Sequence, residues 1–538
     1  MLLATEFWDR FAILTPFVGY LVGVFVIAIV AHRYLKGADF ESEYYVGGRN
    51  FGAWVLAMSW VATLASGGSF LGYPSLINSY GWTMAFWVSG SVVTALIGLG
   101  IVAKRINRLA RQTGALTLVD LFRDRFQSVS ISIAYPLVIV FVTSVYLVAQ
   151  FAFGAKILAN ILQVPYSWAL FVFALSVVAY TTYGGFRAVA WTDTMQGIVM
   201  IVGIVLLVPF ALYAVSGMEN ATLALRDRVD PAAQVNGLPQ EKHAYLYGPG
   251  PQKITNDVKN RLQQGDPAPP DNPLNDPWLP MSLGISFFML RSLGALMMPT
   301  TVPRMLAFRD TKSLRRALYL LGPYIFLMYG SSLITMNCAH SLNDGLGLGL
   351  KPYESDQAVP QLAQIVAPKW LAGFIIAAPF AAVMSTVDSG LLVVSSSVVR
   401  DMVQRVWYPD LSEKWTKRLS YAVTGGAGFI VFTVALLTEP TFAQPWVIYY
   451  SAGSASALFW PGLAALYWRR ATTAGMVCGL VGGIVVFAIC HQAKPFHQTV
   501  PMHAFVYGFT ASAALTVLVS LSTPPQTAHE LDRYFGRD

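Results

Sequence analysis

A cluster of hydroxyl side chains interrupts a long apolar run at residues 381–390. Ser385, Thr386 and Ser389 fall within about one helical turn, and Asp388 adds an ionisable group beside them. A carboxylate is costly in so apolar a run and is typical of an ion or proton pathway. Hydroxyls alone can also bond back to the carbonyls of their own helix. This pattern leaves a functional and a structural interpretation open.

A second segment, Thr63–Ser69, places two adjacent glycines between serines inside another apolar run. Gly67 and Gly68 favour local unwinding of a helix, which leaves backbone carbonyls without intrahelical partners. Such carbonyls at membrane depth can coordinate a hard cation such as sodium, and transporters use broken helices for this purpose. The alternative is that the small residues allow close packing between helices.

Two isolated charges stand in apolar surroundings. Asp193 lies near the start of an apolar run, where it could be an ion-coupling group or a carboxylate favoured by the helix dipole. Arg291 lies between leucines, and a buried guanidinium needs a carboxylate, a carbonyl or an anionic ligand. Arg291 could therefore pair with Asp388 or meet a solute, and the sequence leaves both open.

The composition indicates the elements that hold these residues. The chain has 538 residues, of which 55% are hydrophobic and only 12% charged, whereas soluble proteins carry roughly 25% charged residues. This favours a polytopic membrane protein. The net charge of +8 is spread over short loops, which argues against nucleic-acid binding. The cysteines and histidines show no metal-ligand spacing, and no nucleophile–base pair indicates an enzyme.

A membrane-spanning helix needs about 20 apolar residues, and the continuous apolar runs predict an all-α protein rather than a barrel. We predict about thirteen transmembrane helices, with the approximate limits 13–34, 52–78, 82–103, 130–162, 166–183, 188–216, 277–299, 314–340, 370–404, 417–438, 444–467, 471–491 and 502–522.

Lysine and arginine accumulate in alternate loops, which sets the orientation by the positive-inside rule. With thirteen spans, this places the N-terminus outside and the C-terminus in the cytoplasm. Arg304 is counted among these loop cations. The polar segment 217–276 then falls outside, either as a lightly structured loop or as a lid or docking element. The start of the chain lacks the basic residues of a cleavable signal peptide, and we expect a bacterial inner (plasma) membrane.

At specific motifs the chain resembles the sodium/solute symporter family, and within it the sodium/pantothenate symporters. The resemblance covers roughly residues 14–522, apart from the polar segment. It is carried by an ordered set of motifs, namely Tyr45–Arg49 (YVGGR), Ala57–Ser59 (AMS), Gly184–Val189 (GGFRAV), Asp193–Gly197 (DTMQG), Ala377–Thr386 (AAPFAAVMST) and Leu458–Pro461 (LFWP) before Tyr467-Trp468.

The resemblance implies a five-plus-five inverted-repeat (LeuT-like) core. The first repeat would span residues 52–216 and the second 277–467. The helix at 13–34 and the helices at 471–522 would be peripheral.

The resemblance also implies a sodium site. Its ligands would be the carbonyls of Ala62, Ala65 and Ala382 and the hydroxyls of Ser385 and Thr386. Asp193 matches an aspartate tied to ion coupling, or to a second sodium site, in relatives.

The solute would bind near the bilayer midplane, beside Ser66, Gly67 and Ser69. We add Gln150 and Arg291 to the same cavity. Together, these residues predict a symporter whose partners are sodium (Na+), a small-molecule solute and the lipid bilayer. We expect no nucleic acid and no obligatory protein partner.

The nature of the solute is predicted from Arg291, which favours a small organic anion such as pantothenate or a monocarboxylate. Leu64 stands where the proline-transporting branch has an acidic residue, which argues against proline. Thr300 follows Pro299 where pantothenate relatives tend to have histidine. An amino acid or a sugar is the alternative solute, and a membrane sensor on the same scaffold is the alternative function.

Overall fold

The structure, a computed structural model, describes residues 2–33, 39–80, 82, 84–227, 234–235, 238–239, 281–346, 355–440, 443–493 and 502–535. These residues are almost entirely helical. The polar segment predicted at 217–276 lies largely outside the described residues. Its described parts are a helix, Met218–Asp227, and two short antiparallel strands, Gln234–Val235 and Leu238–Pro239.

The apolar runs form long helices. Those corresponding to the predicted spans are Leu2–His32, Ala53–Leu64 with Tyr73–Tyr80, Met84–Ile97, Val129–Leu162, Tyr166–Ala214, Met281–Leu293, Thr311–Leu346, Lys369–Ser396, Glu413–Thr438, Gln444–Tyr467, Thr473–Ala493 and Ala504–Ser522. Shorter helices and turns connect them, namely Phe40–Val46, Gly47–Arg49, Lys104–Thr113, Leu118–Phe126, Gly294–Met297, Val302–Ala307, Ser355–Gln357, Ala358–Val366 and Ala528–Phe535. Wider π-helical turns occur at Gly68–Gly72, Gly98–Ala103 and Ser397–Trp407.

Among the described residues, nine helices are long and apolar enough to cross a membrane, or ten when one bent pair is counted as a span. A helix nevertheless lies within each of the thirteen predicted spans. Tyr166–Ala214 covers two of them and is kinked between them at Gly185. Met281–Leu293 is short in its described part, and Gln444–Tyr467 is not among the nine. The prediction of an all-α membrane protein is confirmed.

A sharp turn divides the 49-residue helix Tyr166–Ala214 at Gly185. Gly185 has φ +62° and ψ −172°, a conformation that residues with a side chain rarely adopt. A Cβ atom at Gly185 would also lie 2.7 Å from the ring of Tyr44. This turn falls between the predicted spans 166–183 and 188–216.

The segment around Gly67 is bent in a way that the sequence predicts. The helix Ala53–Leu64 ends where Ala65 adopts φ −87° and ψ 84°, and the chain resumes as a helix from Gly68. The two parts meet at an angle of 60°. We call Ala53–Leu64 together with Gly68–Tyr80 the broken helix.

The helix Lys369–Ser396 lies at the centre of the bundle and is buried along nearly its whole length. We call it the hydroxyl helix. It packs against the broken helix, against Leu2–His32 and against Tyr166–Ala214. Thr473–Ala493 and Ala504–Ser522 pack mainly on each other and leave more of their surface exposed.

One end of the bundle is rich in arginine and is organised by the short helices. Arg400 pairs with Glu41 (2.5 Å) and Asp120 (3.1 Å), and Arg405 also pairs with Asp120 (2.6 Å). Arg49 donates to the carbonyls of residues 110 and 115. We call this the basic end, and its arginines join elements from both halves of the chain.

Candidate cation and solute site

The hydroxyl helix and the broken helix meet at a buried polar junction. The hydroxyl of Ser385 donates to the carbonyl oxygen of Ala62 at 2.8 Å and approaches that of Ala382 at 3.1 Å. Thr386 donates to the Ala382 carbonyl at 2.8 Å. Ala65 lies just past the helix end, so its carbonyl no longer follows the helical direction. All five residues are completely buried.

The oxygen atoms at this junction suit a hard monovalent cation. Hard cations take oxygen ligands from carbonyls and hydroxyls. The protons of both hydroxyls point to carbonyl oxygens, so the lone pairs of the hydroxyls stay available. The five predicted ligands therefore come from two short stretches that the fold brings together, and their binding of sodium stays a prediction.

The turn of the broken helix is held by a side-chain amide. The backbone N–H of Gly67 donates to Oε1 of Gln150 at 3.0 Å. A Cβ atom at Gly67 would lie 2.6 Å from Phe153 and 2.8 Å from both Gln150 and Val383. These side chains pack so closely against the backbone at residue 67 that only glycine, which has no Cβ atom, fits there. Nε2 of Gln150 is buried and has no hydrogen-bond partner in the described part of the chain.

A chain of hydroxyl groups links the broken helix to the predicted solute residue Arg291. The hydroxyls of Ser69 and Tyr329 lie 3.0 Å apart, and Nη2 of Arg291 donates to Tyr329. Nε of Arg291 donates to Ser91 at 2.7 Å. Nη1 forms no hydrogen bond with the described residues. The guanidinium also lies 5.0 Å from the ring centre of Tyr73.

Arg291 lines a cavity of about 330 Å³, which includes its open mouth. The walls are mainly aromatic and aliphatic, and the described residues that line it are Tyr73, Trp87, Leu290, Arg291, Met298, Gln444, Val447, Ile448 and Ser451. None of these described residues is an aspartate or a glutamate. A site with one cation and an apolar wall is suited to a small organic anion.

Asp193 belongs to a buried ion pair that the sequence analysis did not identify. Its Oδ2 accepts from Nη2 of Arg304 at 2.7 Å and from the hydroxyl of Ser59 at 2.6 Å. Both charged side chains are completely buried. The interpretation of Arg304 as a loop cation was wrong, because its helix, Val302–Ala307, carries it into the bundle. The apolar residues around Arg304 in VPRMLA were the signal that could have indicated this.

Arg304 also connects this pair to the hydroxyl helix. Nη2 of Arg304 donates to the hydroxyl of Ser389 at 2.7 Å, and Ser389 in turn donates to the carbonyl of Ser385 at 2.7 Å. The ring of Phe186 lies 5.1 Å from the guanidinium carbon. Asp193 is thus connected through Arg304 and Ser389 to the predicted sodium ligand Ser385.

Asp388 and Arg291 occupy different environments and do not pair. Oδ2 of Asp388 accepts a hydrogen bond from the hydroxyl of Tyr180 at 2.9 Å. Arg291 is engaged by Ser91 and Tyr329 instead. Of the two partners that the sequence left open for Arg291, the structure excludes Asp388, and contact with a solute stays a prediction. The hydroxyl partners Tyr180 and Tyr329 were missed, since tyrosines are common in apolar runs and carry no distinctive spacing.

Within the described residues, no group of three or more histidine, cysteine, aspartate or glutamate side chains could hold a metal ion. A cation at the junction would therefore be held by carbonyls and hydroxyls. Such oxygen ligands suit a hard cation, in contrast to the nitrogen and sulfur ligands of a transition-metal centre.

Comparison with protein families identifies a match over most of the chain. The model of the sodium:solute symporter family matches residues 44–483. Among curated relatives, the sodium/pantothenate symporter of Haemophilus influenzae is 31% identical over 510 residues, which covers 93% of this chain and 95% of the relative. The sodium/pantothenate symporter of Escherichia coli is 30% identical, over 91% of this chain and 93% of the relative. A sodium/proline symporter of Haemophilus influenzae is 28% identical, over 95% of each.

Solved structures share the fold. A sodium-coupled sialic acid symporter in a substrate-bound outward-open state matches with a TM-score of 0.71 at 16% identity, and covers 96% of this chain and 99% of that chain. A nucleobase-cation-symport-1 family transporter in a closed conformation matches with a TM-score of 0.53 at 12% identity, over 92% of this chain and 98% of that chain. These likenesses confirm the LeuT-like fold.

Proposed function

The chain belongs to the sodium:solute symporter family, and from that premise we propose that it imports a small organic anion together with sodium. Sodium-coupled transport of a solute by a multi-pass membrane protein follows from the family itself. The chain is accordingly a transporter and not an enzyme. Sodium and the solute are transported substrates, and sodium is not a resident cofactor.

The anion proposal rests on the position of Arg291. Its guanidinium lies in the wall of the 330 Å³ cavity, and Nη1 is free of bonds to the described residues. A carboxylate of the solute would pair with this nitrogen, and charge-assisted bonds of this kind are the strong ones. Tyr329 would transmit the binding of the anion to Ser69 on the broken helix.

The lining of the cavity favours an anion over a zwitterionic amino acid. An amino acid brings an ammonium group that needs a carboxylate or several carbonyls, and no aspartate or glutamate is among the described residues of the wall. Leu64 argues in the same direction, since the proline-transporting branch has an acidic residue there. Pantothenate, which the curated relatives carry by name, has the carboxylate that Arg291 would bind. We therefore propose pantothenate or a similar monocarboxylate.

We further propose that sodium binds at the junction of Ala62, Ala65, Ala382, Ser385 and Thr386. Sodium and solute would then bind on the two sides of the same turn in the broken helix. Sodium there would fix the turn and so prepare Ser66, Gly67 and Ser69 for the solute. Coupling requires that each ligand prefer the same conformation of the protein.

Alternating access would follow from movement of the two predicted repeats, 52–216 and 277–467, around this site. We propose that the basic end faces the cytoplasm, as the positive-inside rule expects. The N-terminus would then lie outside and the cavity of Arg291 would open toward the outside. A bacterial inner membrane is the proposed location.

Counterflow in proteoliposomes tests the solute proposal directly. Vesicles are loaded with one unlabelled candidate, either an acid, proline or a neutral sugar, and diluted into the same compound in labelled form, with sodium or with potassium on both sides. We expect exchange with monocarboxylates only when sodium is present. Exchange with proline or with sugars, but not with the acids, would overturn the anion proposal while leaving sodium coupling intact.

A further inference from the structure

A second cavity, of about 450 Å³ including its open mouth, lies between the junction and the basic end. Its described lining residues come from several elements, including the start of Leu118–Phe126 and the helix Val302–Ala307. The hydroxyl helix and its π-helical continuation contribute Val393, Ser396, Ser397 and Asp401. Most of the remaining wall is apolar, so these side chains supply much of the polarity of the cavity.

Asp401 is a buried carboxylate with one oxygen unsatisfied. It is 1% exposed. Its Oδ1 accepts from the hydroxyl of Thr117 at 2.5 Å, whereas Oδ2 has no hydrogen-bond partner in the part of the chain that the structure describes. A buried carboxylate without a cationic partner is costly. Asp401 lines the cavity, so a cation within the cavity would satisfy it.

The neighbouring arginines attract the charge of Asp401 through space but form no hydrogen bond with it among the described residues. Arg400 bonds Glu41 and Asp120, and Arg405 bonds Asp120. The hydroxyl of Ser397, one turn before Asp401, makes no hydrogen bond within the described residues. A carboxylate oxygen and a nearby hydroxyl are ligands that suit a hard monovalent cation.

A polar row on the hydroxyl helix connects this cavity to the junction. Residues four apart are neighbours on a helix surface, and Ser385, Ser389, Ser397 and Asp401 follow this spacing, with Val393 as the apolar member. Because four residues exceed one turn of 3.6 residues, the row winds around the helix as it advances. Sixteen residues separate the first and last members, which is about 24 Å of helix. The row therefore runs from the predicted sodium ligands to the second cavity.

Arg304 lies between the two ends of this row. Its helix, Val302–Ala307, turns Arg304 toward Ser389 and lines the second cavity with Val302, Pro303 and Leu306. A positive charge at this point opposes the passage of a cation. The ion pair with Asp193 would have to rearrange before a cation moved along the row.

We propose that the Asp401 cavity is a second, release-side cation site, through which sodium leaves the junction toward the basic end. This inference rests on the proposed function, because the ion that it takes is the transported sodium. Asp401 supplies the charged ligand and Ser397 a hydroxyl ligand. Binding there is weaker than at the junction, since the cavity is wider and supplies fewer protein ligands.

Equilibrium binding of ²²Na⁺ to the purified full-length protein tests the site without any solute. The wild type is expected to bind sodium in a tight and a weaker phase. Asp401→Asn is expected to abolish the weaker phase and so to halve the amount of sodium bound at saturation. Asp401→Glu, which keeps the carboxylate, is expected to retain the weaker phase. Asp310→Asn, which removes an exposed carboxylate, is the matched control and should bind like the wild type.

A binding curve of Asp401→Asn that matches the wild type in both phases would overturn the proposal. If Asp401→Asn does not yield folded protein, Ser397→Ala serves in its place, with the weaker phase shifted several-fold to higher sodium. An unshifted weaker phase in Ser397→Ala would then overturn the proposal. The variant Ser385→Ala tests the junction site separately and should lose the tight phase of sodium binding. If the tight phase persists in Ser385→Ala, the proposed junction site is contradicted. The Asp401 variants test the release site alone.

Discussion

The hydroxyl of Ser385 lies 2.8 Å from the backbone carbonyl oxygen of Ala62, although the two residues are 323 positions apart in the chain. This contact joins the hydroxyl helix to the last turn of the broken helix before its bend. It brings hydroxyl and carbonyl oxygens together in a completely buried place. The bond thus creates a polar junction in the bundle interior, and its disruption should affect both helices.

Replacement of Gly67 by alanine tests whether the shape of the broken helix matters for transport. The added Cβ would lie 2.6 Å from Phe153 and 2.8 Å from Gln150 and Val383. Overpacking of this kind costs about 1–3 kcal/mol, so we expect Gly67→Ala to reduce sodium-dependent uptake about tenfold at equal membrane abundance.

Gly100→Ala is the matched control, because no heavy atom lies within 4 Å of a Cβ built there. Uptake by Gly100→Ala should be close to that of the wild type. Full activity of Gly67→Ala would show that the close approach at the turn is not required.

Neutralisation of Arg291 tests the anion site. A hydrogen bond to a charged group contributes about 1.5–3 kcal/mol, so Arg291→Gln should raise the half-saturating concentration of a transported acid about 10- to 100-fold. Arg291→Lys should recover part of this loss, because it keeps the charge but not the fork of donors. The measurement is the concentration dependence of labelled acid uptake.

Arg309→Gln is the control, since it removes an exposed arginine that pairs with the adjacent Asp310. It should leave the half-saturating concentration within about twofold of the wild type, as exposed pairs contribute little. If Arg291→Gln kept wild-type affinity for every acid that is transported, Arg291 would not be a ligand of the solute.

The ion pair of Asp193 and Arg304 predicts a strong coupling in stability. Loss of one partner leaves a buried charge alone, which costs about 3–5 kcal/mol. We expect Asp193→Asn and Arg304→Gln each to lower the thermal unfolding midpoint in detergent strongly. The double variant should lose much less than the sum of the two single losses. Additive losses would mean that the two side chains do not interact in the membrane protein.

The acid stability of the basic end should depend on Asp120. Burial by itself raises the pKa of Asp120, but Arg400, Arg405 and the Leu116 amide outweigh it and hold the pKa below its ordinary value. A lowered pKa in the folded state stabilises the protein fully above the unfolded pKa of roughly 3.9. That stabilisation is lost as the pH falls through the lower, folded-state pKa.

Thermal unfolding between pH 6 and about pH 3 checks this dependence. Asp120→Asn should be less stable than the wild type near pH 6, and the difference should shrink as the pH falls. Asp410→Asn removes an exposed carboxylate at the same end and is the control. A constant difference between Asp120→Asn and the wild type over this range would contradict the assigned cause.

The sequence predicted features that depend on local composition. Gly67 and Gly68 indicated the break in the second span, because a glycine pair weakens a helix. Ser385 and Thr386 were identified because hydroxyls are conspicuous in an apolar run. Each of these signals lies within a few residues of the feature that it predicts.

The remaining part of the site depends on contacts between distant segments, and the sequence alone could not supply them. Arg304 resembled the other arginines near the helix ends, and only the direction of its short helix places it against Asp193. Tyr329 and Tyr180 became partners of Arg291 and Asp388 through helix packing. For the same reason, the sequence alone could not show whether Arg291 pairs with Asp388, because this depends on how the helices pack.

The central claim, that sodium binds where the hydroxyl helix meets the broken helix, is tested most directly by ²²Na⁺ binding to a Ser385→Ala, Thr386→Ala double variant. Loss of two hydroxyl ligands should remove the tight phase of binding that the wild type shows. Thr433→Ala, which loses an exposed hydroxyl bonded to its own helix, should bind as the wild type does. Tight sodium binding that persists unchanged in the double variant would contradict the account.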